Sequence, residues 1–277
     1  MDQQSLREHL RDARFEVLPL RGAEEQAGAL PAGTTVTVTS SPAKGIEATL
    51  DLAGRLRARG LTAVPHLAAR MVRDPAHLRR VLDRLDELGL DEVFAVAGDA
   101  AEAGAYPDAL SLLRAAEDLG RRPARVGITG YPEGHAFLPE STLTAALEDK
   151  APHADYMVTQ ICFDATTITS WLKRVRDRGL ELPVHIGAPG VVDITKLLRI
   201  SMKIGLGDSM RFLRKQHGVV GKLLSRYTPE NLFEELAPAL HDPTFDIAGW
   251  HLFTFNEISK TDQWRHELAT RLQEVPA

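Results

Sequence analysis

The chain alternates between two hydropathy patterns, and that alternation restricts its fold more than any other feature. Short apolar or β-branched runs occur at 15–20 (FEVLPL), 35–39 (TVTVT), 63–68 (AVPHLA), 92–98 (EVFAVAG), 125–130 (RVGITG), 156–162 (YMVTQIC), 183–189 (PVHIGAP) and 250–255 (WHLFTF). Between them the apolar residues recur at helical spacing. Leu50, Ala53 and Leu56 share one face, as do Leu78, Val81, Leu82 and Leu85 in a segment that stops at Gly89. No strand-like run follows another in hairpin succession, so the pattern reads as parallel β/α units. Eight such units in about 250 residues predict a closed (β/α)8 TIM barrel of the α/β class. A doubly wound open sheet is the competing architecture. It is disfavoured because no G-x-G-x-x-G follows the first strand and no P-loop occurs.

One barrel domain is therefore expected over residues 1–277, with extra helix-like material at about 190–245, between strands seven and eight. The 33 basic and 38 acidic side chains leave a net charge of −5, which argues against a nucleic-acid partner. Cys162 stands alone, so internal disulfides and multi-cysteine metal sites are excluded, and a reducing cytoplasm suits it. The start of the chain is charged and lacks the apolar core of a signal peptide, and no run is long enough for a bilayer span. These features predict a soluble, cytoplasmic protein with a small-molecule partner and no membrane partner. Oligomeric state is open.

In a barrel, function gathers at the C-terminal ends of the strands. Reading the polar residues there gives Glu16, Thr39, His66, Asp99, Tyr131 with His135, Gln160 with Asp164, His185, and Thr254 with Asn256. A barrel built only for packing does not need that ring. Glu16 is the most informative member. If Phe15 and Val17 face the helices, Glu16 and Leu18 face the interior, where burial raises a carboxyl pKa and makes a general acid near neutral pH. An interior ion pair, or the opposite facing, is the plainer reading.

The others carry plain readings too. Asp99 is placed to cap the next helix, and His66 to be a hydrogen-bonded core histidine. Gln160 bears a neutral donor–acceptor pair suited to the amide-like edge of a heterocycle, or to a neighbouring strand. Tyr131 and His135 bracket Pro132 and Gly134, so both can aim at one bound group. No H-x-H or H-E-x-x-H spacing supports a metal, and none is expected. The basic residues of 70–84 and 173–178 read as solvated outer faces.

In order, FEVLP, VTVTS, VPHLAAR, AVAGD, GYPEGH, LEDKAPHADYMVTQICFD and HLFTFN resemble the methylenetetrahydrofolate reductase family, from Glu16 to Asn256. GYPEGH and TQ-x-x-FD are the most specific parts. The resemblance implies a (β/α)8 barrel of the short bacterial form, without a regulatory domain. It also implies reduction of 5,10-methylenetetrahydrofolate to 5-methyltetrahydrofolate with hydride from NAD(P)H, NADH slightly ahead of NADPH. By the same resemblance Glu16 is the acid that assists ring opening, Asp99 contacts the pterin and the hydride-donor site, and Gln160 holds the pterin. Thr39, His66, Tyr131, His135 and Lys150 match residues that line the flavin pocket of FAD-containing members.

The departures concern that pocket. Ala97 stands where flavin-containing relatives commonly carry arginine. The following loop is small and acidic, with Glu102; the segment around Lys150 is one residue shorter; and Glu257 replaces a basic residue. FEVLPL is also poorer in phenylalanine and proline than the usual first strand. Bound FAD and direct transfer from NAD(P)H therefore both stay open. So do a flavin- or deazaflavin-dependent barrel oxidoreductase acting on another pterin, and a non-catalytic folate-binding protein.

Overall fold

In a computed structural model that describes residues 3–135, 137–203 and 226–274, eight parallel strands close into a barrel. In chain order the elements are α1 (Gln3–Arg11), β1 (Arg14–Val17), α2 (Ala23–Ala27), β2 (Thr35–Val38), α3 (Gly45–Ala58), β3 (Thr62–Ala68), α4 (Pro75–Leu88) and β4 (Glu92–Val96). Then come α5 (Ala109–Asp118), β5 (Arg125–Gly130), α6 (Glu140–Lys150), β6 (Tyr156–Thr159), α7 (Ala165–Asp177) and β7 (Val184–Pro189). A short β8 (Val192–Asp193), α8 (Ile194–Lys203), β9 (Arg226–Tyr227) and α9 (Glu230–Leu240) precede β10 (Ile247–Phe253) and α10 (Ile258–Glu274). The ring runs β1–β10–β7–β6–β5–β4–β3–β2, so β1 and β10 form its closing joint.

Local chemistry sets the helix ends. Asp74 accepts from His77 N at 2.7 Å, Pro75 occupies the first turn, and Gly89 ends α4 in the left-handed conformation at φ 62°. Asp108 and Ser111 form a capping box on α5. Strand alternation then sorts the side chains. Phe15, Val17, Val36, Val38, Val126, Ile128, Ile186, Trp250 and Leu252 join the core between sheet and helices. Leu50, Ala53 and Leu56 on α3, with Leu78, Val81, Leu82 and Leu85 on α4, complete it from outside.

The opposite strand faces fill the barrel. At the N-terminal ends of the strands, buried Arg14 pairs with Glu92, and Arg14 and Arg125 lie over the Tyr156 ring, 4.6 Å and 4.9 Å from its centroid. Gly127 leaves the room that ring needs, since a Cβ there would sit 2.3 Å from the tyrosine Cζ. Val64, Phe94, Tyr156 and Val158 pack above this charged floor.

Strand boundaries differ modestly from the hydropathy reading. The first strand ends at Val17 rather than residue 20, and the last runs 247–253 rather than 250–255. The elaboration at 190–245 contains α8 and α9, and β8 pairs antiparallel with β9; its residues 204–225 lie outside the described residues. Ile161, Phe163, Val192, Ile194, Leu197 and Tyr227 form a second small core there. No helix of the described residues is long and apolar enough to cross a membrane.

Candidate active site

Glu16 faces the barrel interior, as its alternation with the fully buried Phe15 and Val17 requires. Its carboxylate Oε2 lies 3.1 Å from His251 Nε2 and 3.7 Å from His66 Nε2. Phe94 packs against both rings, 4.8 Å from His66 and 6.4 Å from His251, and Phe253 closes on His251 at 4.9 Å. Loss of water around the carboxyl pushes Glu16 up to about 7, with His66 pulling weakly the other way. The same burial drives His66 down to about 4 and His251 to about 3, Arg14 adding to the second effect. Near neutrality the histidines are therefore uncharged, and Glu16 is poised to hold or release one proton.

The strand-end ring is real but uneven. Thr39, Tyr131 and Gln160 each follow the last residue of a strand, and Asp99 stands exposed three residues past β4, so these four share the C-terminal mouth. Gln160 is therefore on the rim rather than inside a strand, with Oε1 accepting from Ile161 N at 3.1 Å. Asp99 does not cap α5, a position taken by Asp108. Asp164 is a cap, accepting from Thr166 N and the Thr167 hydroxyl. His185 lies near the opposite end, the second residue of β7, edge-on to Tyr156 at 5.4 Å. The apolar run 183–189 continues to Pro189, so its own extent already sets His185 before the strand's C-terminal end.

The five residues matched to a flavin pocket take different parts of the C-terminal half of the barrel. Thr39 lies on the rim and His66 inside the barrel, and Tyr131, also on the rim, lines with His135 and Lys150 a groove of about 420 Å³ between α6 and α7 under the GYPEGH loop. Tyr131 and His135 pack edge to face at 5.6 Å and line the same groove. Lys150 reaches Thr129 Oγ1 at 3.5 Å, and burial lowers its ammonium to about 8.

Two basic residues expected on solvated faces do other work. Arg70 donates to the Ala100 and Ala101 carbonyls at 2.8 Å each, fastening the loop that carries Asp99. Arg176 donates to the carbonyls of Leu180, Leu182 and Phe245. Among the described residues no group of His, Cys, Asp and Glu side chains is arranged to hold a metal.

The joint between β1 and β10 fixes the Glu16 segment. Thr254 Oγ1 donates to the Glu16 carbonyl at 2.6 Å, and the Asn256 amide both accepts from Leu18 N at 2.8 Å and donates to Leu18 O at 3.1 Å. Phe255 and Asn256 take left-handed backbone, φ 50° and 62°, to aim that amide. Glu257, the acidic departure noted in the sequence, pairs with Lys196 at 2.9 Å and Lys260 at 2.7 Å, so local cations are still present. Asn256→Ala is expected to lower kcat about tenfold by loosening the Glu16 segment, and stability by ~1–2 kcal/mol by orphaning Leu18 N–H. Steady-state turnover and urea unfolding check both.

Sequence reading missed His251. Trp250 and Leu252 alternate with it as core residues, and that signal points its ring inward beside Glu16.

The family model described as methylenetetrahydrofolate reductase matches residues 21–206, two thirds of the chain. The chain belongs to this family. Glu16 and β10 lie outside the matched span, so their part in the site rests on the barrel geometry. Methylenetetrahydrofolate reductase 1 of Schizosaccharomyces pombe is 27% identical over 124 residues, covering 41% of this chain and 20% of that protein. Methylenetetrahydrofolate reductase 2 of Saccharomyces cerevisiae is 31% identical over 74 residues, 25% of this chain and 12% of that one. The chain thus matches only a fraction of the length of these family members. A Clostridium thermocellum protein, uncharacterized and binding two copies of 5-methyl-5,6,7,8-tetrahydrofolic acid, shares the fold with a TM-score of 0.68 at 14% identity over 99% of both chains.

Proposed function

We propose that the chain reduces 5,10-methylenetetrahydrofolate to 5-methyltetrahydrofolate, taking hydride from NAD(P)H directly. The observation that carries this reading is the dry carboxyl of Glu16, raised to about 7 within a family barrel whose rim holds Asp99 and Gln160. Glu16 would protonate the folate nitrogen that leaves as the five-membered ring opens. The departing C–N electron pair accepts that proton, and the other nitrogen forms an N=CH2+ iminium. Hydride adds to the methylene carbon, giving the methyl product and NAD(P)+, and solvent restores the proton on Glu16. Asp99 would oppose the iminium charge, and Gln160 would hold the pterin edge. A folate-binding role is consistent with the neighbour of the same fold, which binds methyltetrahydrofolate.

FAD is the alternative carrier, and the residues present fit it poorly. A side-chain grip on its diphosphate would draw on cations, yet position 97 is alanine and two Arg70 nitrogens are engaged with backbone carbonyls. Arg174 and Arg178 face Glu140 and Glu148 at 3.6 Å and 3.0 Å. Lys150 remains. One ammonium suits a cosubstrate that arrives and leaves each turnover better than a resident dinucleotide. The reducing compartment favoured by a single buried thiol, Cys162, agrees with a cytoplasmic enzyme.

Direct transfer requires both substrates bound together, with the reacting carbons about 3–3.5 Å apart. Intersecting double-reciprocal plots from a colourless protein are expected, and deuterium from labelled NAD(P)H should appear in the product methyl group. Parallel plots from a tightly yellow protein would replace direct transfer with a flavin shuttle. Folate binding without turnover under either donor would make the chain a binding protein.

A further inference from the structure

Glu16 presents two oxygens, and His251 and His66 both meet the same one. Its Oε2 is turned into the barrel against His251 Nε2 at 3.1 Å, with His66 Nε2 second at 3.7 Å. His251 is almost fully buried, held by Phe94 and Phe253, and its other nitrogen, Nδ1, has no hydrogen-bond partner. Two proton arrangements compete. In one, His251 carries its hydrogen on Nε2 and donates to Oε2, leaving a bare lone pair at Nδ1. In the other, Glu16 donates from Oε2 and His251 buries an N–H at Nδ1 with nothing to receive it. A buried unpaired donor is the more expensive orphan, which selects the first arrangement.

We propose that His251 is the positioning residue for the acid: its Nε2–H holds Oε2, so the transferable proton rides on Oε1. This rests on Glu16 being the acid of the reading above. The charged and titratable groups around the pair have compatible parts. Arg14 on β1 is paired with Glu92 on β4; His66 on β3 is neutral through burial; His185 on β7 and Tyr156 on β6 lie toward the floor; and Arg125 on β5 covers the tyrosine. Thr37, the register partner of Glu16 on β2, carries no charge. Of these groups, His251 is the one seated within hydrogen-bond distance of the carboxylate.

A hydrogen bond donated to the charged form of a carboxyl favours that form. Removing it in His251→Phe should therefore move the protonation midpoint of Glu16 upward by about one pH unit, a tenfold change in proton affinity. The midpoint is read by infrared titration of the carboxyl band, assigned by its disappearance in Glu16→Gln. His251→Gln keeps an amide N–H near the Nε2 position and should restore the midpoint. In active enzyme the alkaline limb of kcat should move with it, while KM for folate stays put. A midpoint unmoved in His251→Phe, or moved equally in both variants, overturns the assignment. If His251→Phe does not fold, the nitrogen-15 spectrum of the wild type decides: hydrogen on Nε2 sustains the proposal and hydrogen on Nδ1 overturns it. The titration needs no turnover, so an inactive wild type would sink the reductase reading and leave the positioning question answerable.

Discussion

Replacing Glu16 with glutamine is expected to lower turnover by ~10²-fold or more while folate still binds. Glutamine keeps the volume and the hydrogen bond from His251 but has no proton to give. In the wild type kcat should decline as pH rises through about 7, where Glu16 ionises, and the variant should lack that limb. Turnover within a few-fold of wild type would remove Glu16 from the chemistry.

The same substitution should act in the opposite sense on stability. Unfolded, Glu16 titrates near 4.5; folded, near 7, so between those values the folded state binds the proton more tightly and stability falls as pH rises. Above the folded value the deficit is complete, roughly 3 kcal/mol for a shift of this size; below the unfolded value it is absent. Urea unfolding should therefore find Glu16→Gln more stable than wild type at pH 8 and equal to it at pH 4. Equal stability at both would show that the carboxyl is better solvated than its surroundings indicate.

The largest loss of stability is expected from Arg14→Met, at ~3–5 kcal/mol. Arg14 is buried and Glu92 is partly buried, and deleting the guanidinium leaves a carboxylate whose other cation, the half-exposed Arg125, stands 3.7 Å away. Methionine fills most of the volume, so the effect isolates the orphaned charge rather than a cavity. Adding Glu92→Gln should recover a large part of the loss. If the double variant is no better than the single one, packing around the Tyr156 ring carries the effect instead.

The barrel was legible because strands buried on both faces print short apolar runs and helices buried on one stripe print a period. Phe15–Glu16–Val17 shows the limit as well as the strength of that code: alternation points the carboxyl inward, yet says nothing of what it meets. Glu16 and His251 lie on the first and last strands, and only ring closure makes them neighbours. The end of a strand was harder to read than its existence. His185 and Gln160 sit in apolar runs of similar length, but one lies near the floor and the other past the rim, because registry between neighbouring strands decides height. Lys150 was legible as a type and illegible as a place, since its reach to Thr129 depends on how α6 packs.

The fastening of β1 to β10 gives the acid a dependence on time. The bonds from Thr254 to Glu16 and from Asn256 to Leu18 each bridge a separation of 238 residues. Contacts so distant in sequence are late to form, because the intervening chain must first be ordered. Until the ring shuts, Glu16 lies on the open edge of a sheet, in water, with the proton affinity of any other glutamate. The raised proton affinity of Glu16 is thus a property of the completed circle, because the burial that raises it brings together β1 and β10 from the two ends of the barrel's chain order.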